Sequence, residues 1–142
     1  MSQISDISNS VIKSISNQYT TKKTPKVLCW IMTSPSNHKS KAIHVKHTWG
    51  SHCDKLIFMS TEADEELGAV KLDVEESRQG LWGKTKQGFK YCYDNHINEY
   101  DWFMKADDDT FVIVENLKSL LSHYSTDDLI HFGHHFKYLG VN

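Results

Sequence analysis

The run KVLCWIMT at residues 26–33 constrains the fold more than any other stretch of the chain. Its apolar residues are consecutive rather than alternating, so an extended segment here carries apolar side chains on both faces and must be covered on both. Ser34 and Pro35 end the run. A strand of this kind belongs at the centre of a parallel sheet with helices packed above and below it. The segments that follow suit that arrangement. Ser36 or Asn37 can cap a helix through HKSKAIHVKHTW, with Ala42, Val45 and Trp49 on one face and Gly50 as a terminator. LIFMS (56–60) reads as a second strand and AVKLDV (69–74) as a weaker one, followed by the polar loop EESRQG. In LWGKTKQGFKYCYDNHINEY the apolar residues Leu81, Phe89, Cys92, Tyr93 and Ile97 recur at helical spacing, although Gly83 and Gly88 weaken its first turns. DWFMKA (101–106) is a predicted strand, TFVIV (110–114) a short extended segment, ENLKSLLSHY an amphipathic helix and DLIHFG (128–133) a final strand. Strands alternating with helices predict an α/β fold with a mostly parallel sheet and right-handed crossovers.

Residues 1–25 are rich in Ser, Asn, Gln, Thr and Lys and predict a flexible lead-in ahead of a domain spanning 26–142. At 142 residues the chain fits one domain, but it is short for a complete enzyme with two substrates. A net charge of −2 gives no reason to expect a nucleic-acid partner. The longest apolar runs fall well short of the roughly 20 residues of a membrane helix, so no membrane anchor is expected within the chain. The N-terminus also lacks the pattern of a secretory signal. Three cysteines, Cys29, Cys53 and Cys92, permit at most one internal disulfide, and no CxxC pair suggests zinc or redox chemistry.

The chemistry concentrates in KADDDTFVI, residues 105–113. Three adjacent carboxylates, Asp107, Asp108 and Asp109, repel one another wherever a fold holds them, and either water or a cation must offset the repulsion. Asp107 and Asp109 form an Asp-x-Asp pair at the end of a predicted strand. Hard cations such as Mg²⁺ or Mn²⁺ take one or two such carboxylates and complete their shell with water and phosphate; a solvated acidic turn is the competing reading. In open parallel sheets ligands gather beyond the carboxyl ends of the strands. Met32 and Thr33 follow one strand there and Glu76, Ser77 and Arg78 another, so three loops are expected to face one cleft. Arg78 and Lys84 can offer positive charge to a phosphate, or be ordinary surface side chains. Trp82 fits the cleft edge, either packed there or as a platform for a sugar or uracil ring. His131, His134 and His135 invite a metal reading, against which stands a plain strand end with one buried and two exposed histidines. The loop does not match an EF-hand, and no Gly-x-Ser-x-Gly or His-Glu-x-x-His motif is present.

Taken together, VLCWIMTSPSNHKSKAIHVKHTWG, CDKLIFMS, LWGKT, DWFMKADDDTFVIVENL and IHFGHHFK resemble the animal core-one β-1,3-galactosyltransferases of glycosyltransferase family 31, across residues 26–137. The resemblance implies a GT-A fold, the Rossmann-like fold of nucleotide-diphospho-sugar transferases, of which this chain carries the N-terminal, donor-binding part. It implies UDP-galactose as donor and Mn²⁺ as cofactor. The implied acceptor is N-acetylgalactosamine on Ser or Thr of glycoproteins, extended with inversion in β-1,3 linkage. Asp107 is placed on the metal and on UDP, and Asp109 is the second metal carboxylate. Met32, Glu76, Ser77, Arg78 and Lys84 resemble donor-nucleotide contacts, Cys29 and Cys53 a family disulfide, and Cys92 is left free. Full-length members imply a type II Golgi membrane protein and a homodimer. Two departures stand out: a polar lead-in occupies the place of the family's signal anchor, and after Lys137 the residues YLGVN leave the family pattern. The catalytic base and a further metal-ligating histidine are therefore expected beyond Asn142, and no catalytic residue is assigned within the chain. The alternative is a non-catalytic UDP- and metal-binding fragment or a chaperone-like interaction protein of the same family. The intact acidic triplet favours the enzymatic lineage.

Overall fold

A computed structural model describes residues 24–133. The predicted lead-in therefore lies outside the described residues except for Thr24 and Pro25, as do His134 and His135. Four strands form one sheet in the order β3-β2-β1-β4, with β1 at Val27–Met32, β2 at Lys55–Ser60, β3 at Ala69–Lys71 and β4 at Trp102–Asp107. All three pairings are parallel, and Met32 lies opposite Met59 on one side and Asp107 on the other.

All six residues of β1 are buried, as a continuous apolar run requires. Its side chains divide with the period of two. Leu28, Trp30 and Met32 join Ile57, Met59, Leu72 and Cys92 on one face, where helix α2 (Leu81–His96) packs. Ile31 joins Ala42, Val45, Trp49, Phe58 and Val114 on the other, and Val27 and Cys29 pack there with Leu121. That second face is covered by helix α1 (Ile43–His47), its flanking turns and helix α3 (Val114–Leu121).

The first helical segment is less regular than its sequence suggests. It runs as a 3₁₀ turn at Pro35–Asn37, a wide π turn at His38–Ala42, then α1 and a second 3₁₀ turn at Trp49–His52. Thr48, not Gly50, breaks the α-helix, with its hydroxyl donating back to His44 O. Gly50 is needed for space instead, because a Cβ there would lie 2.7 Å from Val45 O and 2.8 Å from Leu56 Cδ2. The predicted strand at 128–133 is not one: these residues are irregular and exposed. Phe132 contacts Tyr124 and Trp102 through ring packing, with centroids 4.9 and 6.0 Å apart, rather than through a strand ladder. β3 also stops at Lys71, short of the predicted Val74.

Helix α2 meets the sheet through Lys84, Gly88 and Cys92, spaced i, i+4, i+8, while Leu81, Phe89, Tyr93 and Ile97 remain exposed among the described residues. Gly88 therefore serves a close approach. The indole of Trp30 fills the space a side chain would need, and Phe89 packs edge-on against it at 5.1 Å. A disulfide joins Cys29 in β1 to Cys53, ahead of β2, with Cα atoms 6.1 Å apart. Cys92 is free and buried, and burial pushes its thiol up to about 11, so it behaves as a small apolar residue rather than a nucleophile.

Gly88→Ala is expected to destabilise the chain by about 1–3 kcal/mol despite the better helix former, because its Cβ would lie 2.7 Å from Trp30 Cζ3. Gly83→Ala, whose Cβ meets Val74 Cγ1 at 3.2 Å, should change stability by less than about 1 kcal/mol. Paired denaturant melts check the contrast. Non-reducing peptide mapping should recover Cys29 linked to Cys53 and Cys92 unlinked. Reduction should cost on the order of 3 kcal/mol, given a sequence separation of 24.

Candidate functional site at the strand ends

From β1 the chain winds outward to β2 and β3, then returns through α2 and places β4 on the other side of β1. The winding direction reverses between β1 and β4, and beyond the carboxyl ends of such a pair a crevice opens for ligands. Met32 and Thr33 leave β1 there, and Asp107 to Asp109 leave β4.

The three aspartates do not point the same way. Asp107 ends β4, is exposed, and accepts a hydrogen bond at Oδ1 from Lys105 Nζ, 2.7 Å away and two residues back on the same strand. Asp108 turns inward to 9% exposure and accepts from Thr33 Oγ1 at 2.7 Å. Asp109 is exposed, with Lys41 Nζ 4.0 Å from its Oδ2. The turn is closed by the Thr110 amide donating to Asp107 O at 3.1 Å and buttressed by Trp49 Nε1 donating to Thr110 O at 2.9 Å. Repulsion within the triplet is thus relieved by separating the middle carboxylate from its neighbours and by setting a lysine beside each outer one.

The loop after β3 brings a second set of residues to the same end of the sheet. Lys84, only 1% exposed, donates to Thr33 O at 2.8 Å and to both carboxylate oxygens of Glu76 at 2.9 Å. Thr61 Oγ1 donates to Glu76 Oε2 at 2.8 Å. Partial desolvation raises the Glu76 pKa, but the hydrogen bonds from Lys84 and Thr61, with the nearby positive charge, outweigh it and hold the carboxyl below its ordinary value. Ser77 accepts from the Gly80 amide at 3.0 Å, shaping the entry to α2, and Arg78 is exposed. The side chain of Met32 lies in the core on the α2 side, so chiefly its backbone is left at the strand end. Trp82 stands exposed, with Lys86 Nζ 5.9 Å from its ring.

The structure therefore joins Glu76, Lys84, Thr33 and Asp108 into one hydrogen-bonded chain and leaves Arg78, Asp107 and Asp109 at its open side. His131 is elsewhere. It lines a cavity with Val27 and Trp102, the first residues of β1 and β4, at the opposite end of the strands from the acidic turn. No group of three His, Cys, Asp or Glu residues among those described is placed to enclose a metal, so a cation here would have two carboxylates, Asp107 and Asp109. Exposed carboxylate oxygens suit a hard divalent cation whose remaining sites a phosphate or water fills, and His44 lines the same surface cavity as Asp109.

A second polar cluster was not visible in the sequence. The buried His38 ring bridges Ser60 Oγ at 2.8 Å and Asp64 Oδ2 at 3.1 Å. It ties the π turn to the end of β2. The Leu67 amide, and then His38, hold the Asp64 carboxyl below its usual range against some desolvation. The only signal was Ser60 ending an apolar run, which any strand end would give.

Comparison with known proteins adds the following. Residues 22–137 match the Fringe-like family. Over 115 residues the chain is 50% identical to glycoprotein-N-acetylgalactosamine 3-beta-galactosyltransferase 1 of Xenopus laevis, which covers 81% of this chain and 32% of that protein. It is 25% identical over 116 residues to beta-1,3-glucosyltransferase of Mus musculus, covering 82% of this chain and 24% of that one. Over 111 residues it is 22% identical to human chondroitin sulfate synthase 3, covering 72% of this chain and 13% of that protein. The chain thus spans a third or less of the curated relatives it matches.

The Glu76–Lys84 pair generates a pH prediction. Because the Glu76 pKa is lowered from 4.5 on folding, its contribution is fully present above that pH and is lost as the pH falls through the lowered value. Glu76→Gln removes the counter-ion of a buried lysine. It should cost about 1–2 kcal/mol at neutral pH, a figure reduced because the carboxylate is 39% exposed. The gap between the two proteins should narrow as the pH drops below 4.5, measured by urea melts across the acid range.

Proposed function

This chain belongs to the Fringe-like family of glycosyltransferases, and on that premise we propose that it binds the donor of a galactosyl transfer: UDP-galactose, held with Mn²⁺ at the β1/β4 switch point. The observation that carries the reading is the turn that presents Asp107 and Asp109 outward at the carboxyl end of β4, beside the end of β1. The transfer is β-1,3 and inverting, onto N-acetylgalactosamine on Ser or Thr of a glycoprotein, the acceptor class that the Xenopus relative's name carries. Residence in the Golgi membrane and homodimer formation belong to the same proposal.

Asp107 and Asp109 hold the cation, with Asp107 also facing the nucleotide. Bound Mn²⁺ supplies positive charge to the diphosphate as its bond to galactose weakens. The protein's own part is orientation. The Met32 backbone, Glu76, Ser77 and Arg78 surround the nucleotide, and the exposed Arg78 offers its guanidinium to a phosphate. Lys105 and Lys41 sit beside the outer carboxylates and must yield as the cation enters. Asp108 is committed to Thr33, so it is not positioned to take a proton from an acceptor hydroxyl. No described residue is assigned as the base. A second reading, a UDP- and metal-binding relative without transfer activity, is favoured by the commitment of Asp108 to Thr33.

Calorimetric titration of UDP should show binding at least about tenfold tighter with Mn²⁺ than without, about 1.4 kcal/mol. Asp107→Asn and Asp109→Asn should each abolish the difference while leaving the melting temperature within a few degrees. Equal binding with and without metal would reduce the triplet to an acidic turn. Galactose transfer to an N-acetylgalactosamine-bearing peptide separates the enzymatic reading from the binding one.

A further inference from the structure

We propose that Lys84 and Thr33 are positioning residues that fix the acidic turn relative to the loop carrying Glu76, so that the nucleotide and metal halves of the site move as one. The inference deepens the donor-site reading and rests on it for its functional consequence, but the tie itself stands on geometry alone. A lysine in a polar loop-to-helix segment beside a phosphate site would be expected to extend outward. Lys84 instead points into the molecule from the sheet-facing side of α2, and its ammonium is surrounded by three acceptor atoms: Thr33 O, Glu76 Oε1 and Glu76 Oε2. At 1% exposure the ammonium is enclosed by these acceptors rather than offered to a phosphate at the surface.

The acceptors matter because of where they sit. Glu76 is in the loop after β3, steadied from its other side by Thr61 at the end of β2. Thr33 follows β1, its amide donating to Met59 O in β2 at 3.0 Å. The same Thr33 then donates its hydroxyl to Asp108, 75 residues away in sequence. Thr33 is 3% exposed and Asp108 9%, so this bond is sheltered from competing water and retains most of its strength. The segments following β1, β3 and β4 are thereby linked through one buried ammonium and one buried hydroxyl, and Thr61 after β2 joins them through its own bond to Glu76. Asp108 fixes the direction in which its neighbours Asp107 and Asp109 project. A shift of the Glu76 loop is transmitted to the metal carboxylates through three successive hydrogen bonds, with no contact between Lys84 and the turn required.

Amide hydrogen exchange of the full chain tests the tie without any ligand. The Thr110 amide, which closes the acidic turn on Asp107 O, reports the turn, and the Gly80 amide, bonded to Ser77, reports the loop. Thr33→Val keeps the shape of the side chain and removes its hydroxyl; it should speed Thr110 exchange about tenfold and leave Gly80 unchanged, and Thr33→Ser should restore the parent rate. Lys84→Met should speed both. Should Lys84→Met not fold, Glu76→Gln tests the same chain from its other end. If Thr110 is unmoved by Lys84→Met or Glu76→Gln while Gly80 responds, Lys84 anchors its loop only and the proposal falls. In calorimetry with UDP and Mn²⁺, Thr33→Val should lower the enhancement of UDP affinity by metal several-fold and leave metal-free affinity unchanged, a split that general destabilisation would not give. An unchanged enhancement would overturn the coupling. If the parent chain binds no UDP, the donor-site reading fails, and the exchange rates still decide the tie.

Discussion

Burial of β1 on both faces is the constraint from which the rest of the structure follows. Six consecutive apolar residues cannot lie at a sheet edge or under a single layer without exposing half of their side chains. Strands must flank β1 on both sides and helices must cover both faces. Once β2 and β3 have been laid on one side, β4 takes the other, and the winding reverses beside β1. The switch point is therefore a consequence of core formation, and it positions Thr33 and Asp107 before any of their chemistry is considered.

The same constraint explains which parts of the fold could be read from the residues. Strands β1, β2 and β4 are marked by runs such as VLCWIM and LIFM, because transfer of apolar surface is local information that a short segment carries by itself. Features that depend on a distant partner were not legible. Gly88 reads as a weak point in α2, yet its hydrogen atom is what Trp30 requires, 58 positions earlier in the chain. DLIHFG has the composition of a strand, but no described strand borders the free edge of β4, and its residues pack through aromatic rings instead. Thr48 ends α1 through a local hydroxyl bond that competes with the helix ladder, which a search for a terminating glycine overlooks.

In the site the division is similar. The exposure of Asp107 and Asp109 at the end of β4 was legible because two carboxylates at a strand end are a feature of one local segment. Asp108 looked equivalent to them and is not, since Thr33 draws it inward. In the sequence Lys84 reads as a phosphate contact or an ordinary surface side chain, and either would face outward. Its burial is tolerated because Glu76 and a main-chain carbonyl return the interactions lost with water, and because removal of either would leave a charge stranded in the interior. Pattern reading assigns a face to each residue from its neighbours in sequence, whereas the position of a buried ion pair is set by where its counter-ion is carried.

The electrostatics of the acidic turn connect this architecture to ligand order. Asp107 already has a cationic neighbour in Lys105, and Asp109 has a more distant one in Lys41. A divalent cation entering with only two carboxylates must displace these partners and shed part of its own hydration, for which two exposed oxygens offer limited return. A diphosphate changes the balance, since it adds oxygen ligands to the metal and accepts the displaced lysines or Arg78 as counter-charges. On the proposed reading, metal and nucleotide would favour each other's binding even where neither binds strongly alone. Such coupling would require the carboxylates to be held at a constant distance from the loop that carries Glu76, Ser77 and Arg78. A turn anchored solely by its own strand would let β4, which has no second partner strand among the described residues, relax toward either ligand separately. By fastening Asp108 to the end of the most deeply buried strand, Thr33 ties the turn that carries the exposed carboxylates to the core.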